Sequence, residues 1–258
     1  MTRTPKRRTK KAGLPPGTLL YTGDAQIREP VITVTRYSEA AFEQSTARTP
    51  EECVVVPPGE GVTWVDVDGV HQVELVRKMG ECFGLHPLVA EDIVNTDQRP
   101  KLEDYGDYLY LVLKRLYRDE ARWIRGEQVS IVLGRNFLLT FHEGRTSDII
   151  AAVRERIRSE RGRLRHSGAE HLLHALLDAV VDQYFVVMED VGEEIEGFEE
   201  HLIARPSQAT LKSLHVYKRK LIFLRRSVWP LREVLAFLER GDSDLVPETA
   251  RAYLRDVY

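Results

Sequence analysis

The chain has 258 residues, of which 43% are hydrophobic and 30% charged, so it can bury a substantial core and fold unaided. A formal net charge of −3 excludes a broadly basic nucleic-acid binder, and any electrostatic role must come from local segregation of charge. No secretory leader is legible, and no apolar run approaches the roughly 18 residues of a bilayer span, so the sequence reads as a soluble chain.

Residues 1–13 hold Arg3, Lys6, Arg7, Arg8, Lys10 and Lys11. They read as a disordered basic tail, with contact to anionic lipid headgroups as the alternative. Val31 to Tyr37 alternates as a strand does, and Ser38 is placed to cap a short helix through Phe42. Cys53 to Pro57 and Val62 to Gly69 are two further strand candidates across a Pro-Pro-Gly-Glu-Gly turn. Val70 to Phe83 has apolar residues at helical spacing, and Gly84 ends it. Cys53 and Cys82 lack metal-ligand spacing and read as reduced, buried thiols.

The stretch from His86 to Lys114 organises the rest. Pro87 suits a first helical turn. Leu88, Val89, Ile93 and Val94 fall on one side, which displays Glu91 and Asp92 elsewhere. After Pro100 the run from Leu102 to Lys114 is nearly continuous in apolar and aromatic residues, the pattern of a strand covered on both faces. Strands are expected over Asp107 to Tyr117, Glu127 to Leu133 and Phe137 to His142, the last two joined tightly through Gly134-Arg135-Asn136. A helix follows from Ile149 to Arg161. This order predicts an α/β fold, with a mixed β-sheet sandwiched between helices in an α/β/α body.

From Glu170 onward no strand signal returns. Apolar residues from Leu173 to Leu202 step by threes and fours, Arg205-Pro206 interrupts, and a second series runs from Leu211 to Leu238. Two long helices in an antiparallel hairpin are expected, with a kink in the second at Pro230. Gly241 to Pro247 is a loop, and Glu248 begins a last helix. The two arms differ in sign: Asp182 to Glu200 contains no Lys or Arg, and Leu211 to Arg226 contains no Asp or Glu. Either the arms neutralise each other through weak surface pairs, or a ring of subunits stacks them into zones of potential along an ion path.

No Walker loop, GxGxxG, nucleophile elbow or HExxH is present, so nothing points to catalysis, and His86 reads as ordering its turn. His171, His174 and Asp178 share one helical face and could hold zinc, with a pair of surface histidines as the plainer reading. Glu91 and Asp92 are neighbours on a helix and cannot clamp one ion by themselves. Taken alone, Glu91, Asp92, Asp178 and Asp256 are equally readable as surface acids.

Several blocks in one order resemble the cytoplasmic domain of the CorA-type magnesium channels: LPPGTLLYTG from Leu14, HPLVAEDIVNTDQRPK from His86, GEQVSIVLGRNFLLTF from Gly126, DAVVDQYF from Asp178, WPLREVL from Trp229 and YLRDVY from Tyr253. The resemblance implies an α/β/α body over 14–165, a helical hairpin over 166–241, and at 247–258 the start of a stalk helix that continues into the membrane. It implies a homopentamer whose own transmembrane domain, with a Gly-Met-Asn pore signature, lies beyond this sequence. The uncapped ending RDVY fits a truncated chain. It also implies a regulatory Mg2+ between subunits, held by Asp92 of one and Asp256 of the next, with a second ion near Glu91 and Asp178. Bound metal would hold the pore shut. Co2+ and Zn2+ are alternative ions, and the cytoplasmic domain of a related zinc transporter or a soluble hairpin scaffold without an ion role are the rival readings.

Overall fold

The computed structural model describes residues 13–257 apart from 14, 24–27, 54, 58, 145–146, 160–162 and 205–207. The basic tail up to residue 12 and the Arg205-Pro206 break therefore lie outside the described residues. Strands β1 (Val31–Tyr37), β2 (Phe42–Ala47), β3 (Val62–Asp68), β4 (Lys101–Asp104), β5 (Tyr108–Arg118), β6 (Ile124–Gly134) and β7 (Phe137–His142) form one sheet. Its order is β2-β1-β3-β7-β6-β5-β4. Only the central β3–β7 joint is parallel; the other neighbours are antiparallel.

Side chains alternate across a strand, and here both sets are buried. Leu109, Leu111 and Leu113 of β5 enter one core with Trp64, Val129, Ile131 and Leu138. Tyr108, Tyr110 and Val112 enter a second core with Val65, Val67, Val132 and Phe141. The first core is closed by α3 (Ser147–Arg158), α4 (Ala169–Ala204), α6 (Leu231–Arg240) and α7 (Glu248–Val257), with Leu224 of α5 (Gln208–Val228). The second is closed by α1 (Val73–Cys82) and α2 (Pro87–Val94). The expected α/β/α sandwich is present, and the apolar run of β5 is covered on both faces.

Over Ala169–Glu199, α4 is long and apolar enough to span a bilayer by length and composition, which the sequence reading passed over. Its Leu172, Leu173, Leu176, Leu177, Val180, Tyr184, Val187 and Val191 are instead buried in the first core. Tyr184 donates to the Lys114 carbonyl at 2.5 Å, which fixes α4 to β5. Gly126 lets α5 come close, since a Cβ there would meet the Phe223 ring at 3.2 Å. The hairpin is antiparallel: the Phe198 and Tyr217 rings meet at a tilt of 43° with centroids 5.0 Å apart, and Lys220 reaches back to Glu194 at 2.5 Å.

Five local expectations are corrected. The helix expected from Ser38 to Phe42 is a turn between β1 and β2: Ser38 N–H donates to Ala41 O at 2.9 Å, and Ala41 N–H to Ser38 Oγ at 3.2 Å. β2 is mostly exposed and polar, so it left no apolar period to read. Cys53 and residues 55–57 form no strand. Val56 N–H goes to Thr63 Oγ1 at 2.9 Å and its carbonyl to Asn136 Nδ2 at 2.5 Å, so side chains replace a ladder there. The run from Leu102 to Lys114 is two antiparallel strands, because Gly106 takes φ 83° in a turn closed by Tyr105 N–H to Tyr108 O at 3.0 Å. Pro230 separates α5 from α6 rather than kinking one helix, since it has no N–H to continue the ladder. Cys53 is buried as expected, but Cys82 is exposed; both are free thiols.

Beside the parallel joint, under α3, Asp66 is 5% exposed. Its Oδ1 accepts from Thr140 Oγ1 at 2.6 Å and His142 Nε2 at 3.1 Å, and its Oδ2 from Arg154 Nη2 at 3.1 Å. The Arg154 guanidinium also lies 5.0 Å over the Trp64 ring, whose Nε1–H donates to Thr140 Oγ1 at 3.1 Å. His142 Nδ1 accepts from Gly144 N–H at 3.0 Å, which leaves the ring proton on Nε2, facing Asp66. Burial alone would raise the Asp66 pKa, but the His142 ring, Arg154 and Thr140 outweigh it and hold the carboxyl below its usual range.

Asp66→Asn strands Arg154 beside a neutral amide and should cost about 3 kcal/mol in urea unfolding at pH 7. A carboxyl pKa lowered by folding stabilises above the unfolded value of about 4, and the gain is lost as pH falls through the folded value. The gap between wild type and Asp66→Asn should therefore narrow as the pH is taken from 6 to 3. Tyr184→Phe, which leaves the Lys114 carbonyl without its donor, should cost about 1 kcal/mol in the same measurement.

Candidate metal centre

His86 begins α2 with its Nδ1 accepting from Leu88 N–H at 3.3 Å, and Pro87 needs no partner at the first helical position. Val89, Ala90, Ile93 and Val94 are buried, while Leu88 is exposed, so the apolar stripe is narrower than the sequence suggests. Glu91 and Asp92 leave the helix in different directions and have different partners. Glu91 Oε2 accepts from Gly17 N–H at 2.6 Å. Thr22 N–H donates to Val94 O at 3.2 Å, and Thr22 Oγ1 accepts from Thr96 N–H at 3.1 Å. Glu91 thus anchors an N-terminal strap that crosses α2.

Asp92 sits in a denser polar cluster. Its Oδ1 accepts from the Gln98 side-chain amide, and its Oδ2 from Lys101 Nζ at 2.5 Å. Gln128, 2% exposed in β6, donates to the Asp92 carbonyl at 2.9 Å and accepts from Gln98 N–H at 3.0 Å. Lys101 Nζ also meets Glu103 Oε1 at 2.6 Å, and Tyr105 OH donates to Glu103 Oε2 at 3.1 Å. Burial would lower the Lys101 pKa, yet Asp92 and Glu103 hold it above the usual ammonium value. Gln98, Lys101, Glu103 and Gln128 escaped the sequence reading. The available signals were a lone Gln in the apolar β6 run, and Lys101 and Glu103 two apart on a strand, hence on one face.

Asp178 and Asp256 belong to a second cluster, where α4 meets α7. The His171 and His174 rings lie 5.2 and 5.8 Å from the Tyr253 ring. Burial pulls the His174 pKa down, and the carboxylates of Asp178 and Asp256, both close enough to act on it, only partly offset this. Asp178 faces Arg156 across 3.8 Å, and Asp256 is exposed. His171 Nδ1 is 3.0 Å from Glu170 Oε1, so the histidine pair is engaged with neighbours. Among the described residues no group of three or more His, Cys, Asp or Glu is placed to hold a metal; the His171, His174 and Asp178 set for zinc is therefore not assembled.

The two clusters lie on opposite faces of the sheet, because α2 packs on one core and α4 and α7 on the other. One chain does not bring Asp92 to Asp256. The donors themselves are hard carboxylate oxygens, the type Mg2+ prefers, and Mg2+ needs only one or two of them beside its waters. Asp92 and Asp256 each offer one such carboxylate, on opposite faces of the sheet.

The hairpin arms meet only in part. Glu194 pairs with Lys220 of the returning arm, but also with Arg118 of β5 at 2.6 Å, and Arg118 in turn holds Asp190 at 2.7 Å. Burial opposes ionisation of Glu194, and these two cations overcome it and lower its pKa. The sheet, as well as the second arm, supplies cations to the acidic arm at Asp190 and Glu194. Ile195, Phe198, Leu214, Tyr217, Leu221 and Ile222 line an open groove of about 400 Å³ between the arms.

Comparison with known proteins agrees with this architecture. The model of the CorA-like Mg2+ transporter family matches residues 59–258. The cobalt/magnesium transport protein CorA of Thermotoga maritima is 42% identical over 255 residues, covering 98% of this chain and 72% of that protein. Two solved structures share the fold: the soluble domain of CorA from Methanocaldococcus jannaschii, with TM-score 0.69 at 18% identity over 87% of this chain and 86% of that one, and the ZntB cytoplasmic domain from Vibrio parahaemolyticus, with TM-score 0.65 at 14% identity over 88% of each. The chain belongs to the CorA-like Mg2+ transporter family, whose members are transporters and not enzymes.

Proposed function

We propose that the chain is the cytoplasmic metal-sensing and gating part of a CorA-type divalent-cation channel that carries Mg2+ and, in keeping with its Thermotoga relative, Co2+. The body over 14–165 and the hairpin over 166–241 assemble as a homopentamer, and the helix from 247 continues into the membrane segment. Mg2+ bridges Asp92 of one subunit and Asp256 of the next, with Glu91 and Asp178 near a second ion, and the bridged ring holds the pore shut. The observation that carries this reading is the separation of Asp92 and Asp256 onto opposite faces of one sheet. A site built from both needs two chains.

The chemistry is that of a sensor. A sparse carboxylate site leaves most of the hydration shell on Mg2+ and binds it weakly, which suits an abundant ion. Without the ion, facing carboxylates repel and the interface loosens. With it, adjacent subunits are drawn together. A zinc-responsive domain is the second reading, suggested by His171 and His174 together against Tyr253, although no three-ligand set is assembled there among the described residues; Zn2+ in place of Mg2+ in the same titrations separates the two.

If Mg2+ binds the assembled state alone, saturation at a hundred times the dissociation constant should stabilise it by about 2.7 kcal/mol. Thermal unfolding at rising Mg2+ should show that increase, and Asp92→Asn or Asp256→Asn should remove it. In channels carrying Asp92→Asn together with Asp256→Asn, internal Mg2+ should no longer suppress the current. Suppression at an unchanged Mg2+ concentration would exclude the bridge.

A further inference from the structure

Lys101 holds a position that the proposed bridge does not explain. It lies on β4, an edge strand of the sheet, and its Nζ stands between two carboxylates, 2.5 Å from Asp92 Oδ2 and 2.6 Å from Glu103 Oε1. The same ammonium lies 5.6 Å over the buried Tyr110 ring. Asp92 Oδ1 is already occupied by the Gln98 amide, so Oδ2 is where a cation can be exchanged. A lysine head is a compact charge on a flexible stem and can move from one carboxylate toward the other without moving the strand. Glu103 is kept in place to receive it by the Tyr105 hydroxyl at 3.1 Å.

From this geometry we infer that Lys101 is a built-in competitor for the dication at Asp92. It neutralises Asp92 when the metal is absent and shifts onto Glu103 when the metal arrives. The inference rests on Asp92 being a metal ligand and adds how its affinity is set. Because Lys101 keeps a carboxylate partner in both states, the exchange strands no charge, and stranding is what makes breaking a half-buried pair expensive. Each binding event must still displace one ammonium contact, so Mg2+ binds more weakly than it would at an unpaired aspartate. The competition thus tunes the site toward a high working concentration of ion, and the threshold is written in the balance between Asp92 and Glu103.

The test uses the full 258-residue chain and MgCl2 at constant ionic strength, reading the midpoint of Mg2+-dependent thermal stabilisation against each variant's own metal-free baseline. Lys101→Met keeps the stem over Tyr110 and removes the ammonium; its midpoint should fall about fivefold, the equivalent of one partly exposed ion pair. Lys101→Gln should do the same if the Met variant folds poorly. Glu103→Gln takes away the second partner and should move the midpoint the other way, to higher Mg2+. Lys114→Met removes an equal charge that contacts Asp97 at 3.4 Å and not Asp92, and should leave the midpoint within twofold. Equal shifts for Lys101→Met and Lys114→Met, or an unchanged or higher midpoint for Lys101→Met, overturn the competitor role while a response lost in Asp92→Asn keeps the bridge. Absence of any Mg2+ response in all variants overturns both.

Discussion

Burial of the sheet on both faces is the constraint from which the rest follows. β5 and β6 have almost no solvent-facing side, so each must be covered twice, and the period of two along a strand decides which helices cover which face. Leu109, Leu111 and Leu113 select α4, α6 and α7; Tyr108, Tyr110 and Val112 select α1 and α2. A one-residue slip in β5 would exchange those sets. The division that makes the core also keeps Asp92 apart from Asp256.

Buried charge is handled in two ways on the two faces. Asp66 is enclosed, with every partner inside the chain, and its network of Thr140, His142, Arg154 and Trp64 is structural. Asp92 is pinned by its carbonyl to buried Gln128 but shows its carboxylate at the sheet edge, where Lys101 is shared with Glu103. The first arrangement resists exchange of partners. The second supplies an alternative partner at once, and in the proposed assembly that difference separates a scaffold from a sensor.

The hairpin has a mixed role. Its first helix is a core element, tied to the sheet through the Tyr184 hydroxyl and the Arg118 pairs with Asp190 and Glu194. Its outward residues are different: Phe185, Val186, Leu214, Leu221 and Ile222 are exposed. Exposed apolar side chains of this kind are where other protein can pack.

Much of this was legible in the residues themselves. The unbroken apolar run of β5 announced two covered faces, the steps of three and four announced the hairpin, Gly84 ended α1 with φ 64°, and Pro87 with Glu91-Asp92 located the acidic helix. These are local patterns, and local patterns are set by backbone geometry alone. β2 was missed because an exposed edge strand has no apolar period, and the segment around Val56 was misread because its backbone is satisfied by Thr63 and Asn136 from elsewhere in the chain. Gln98, Lys101, Glu103 and Gln128 gathered around Asp92 only when β4 and β6 were laid beside α2. Sequence determined which residues carry charge and where apolar residues recur at helix or strand spacing; the tertiary structure decided which charges meet, because an ion pair depends on distances that only the packed sheet and helices set.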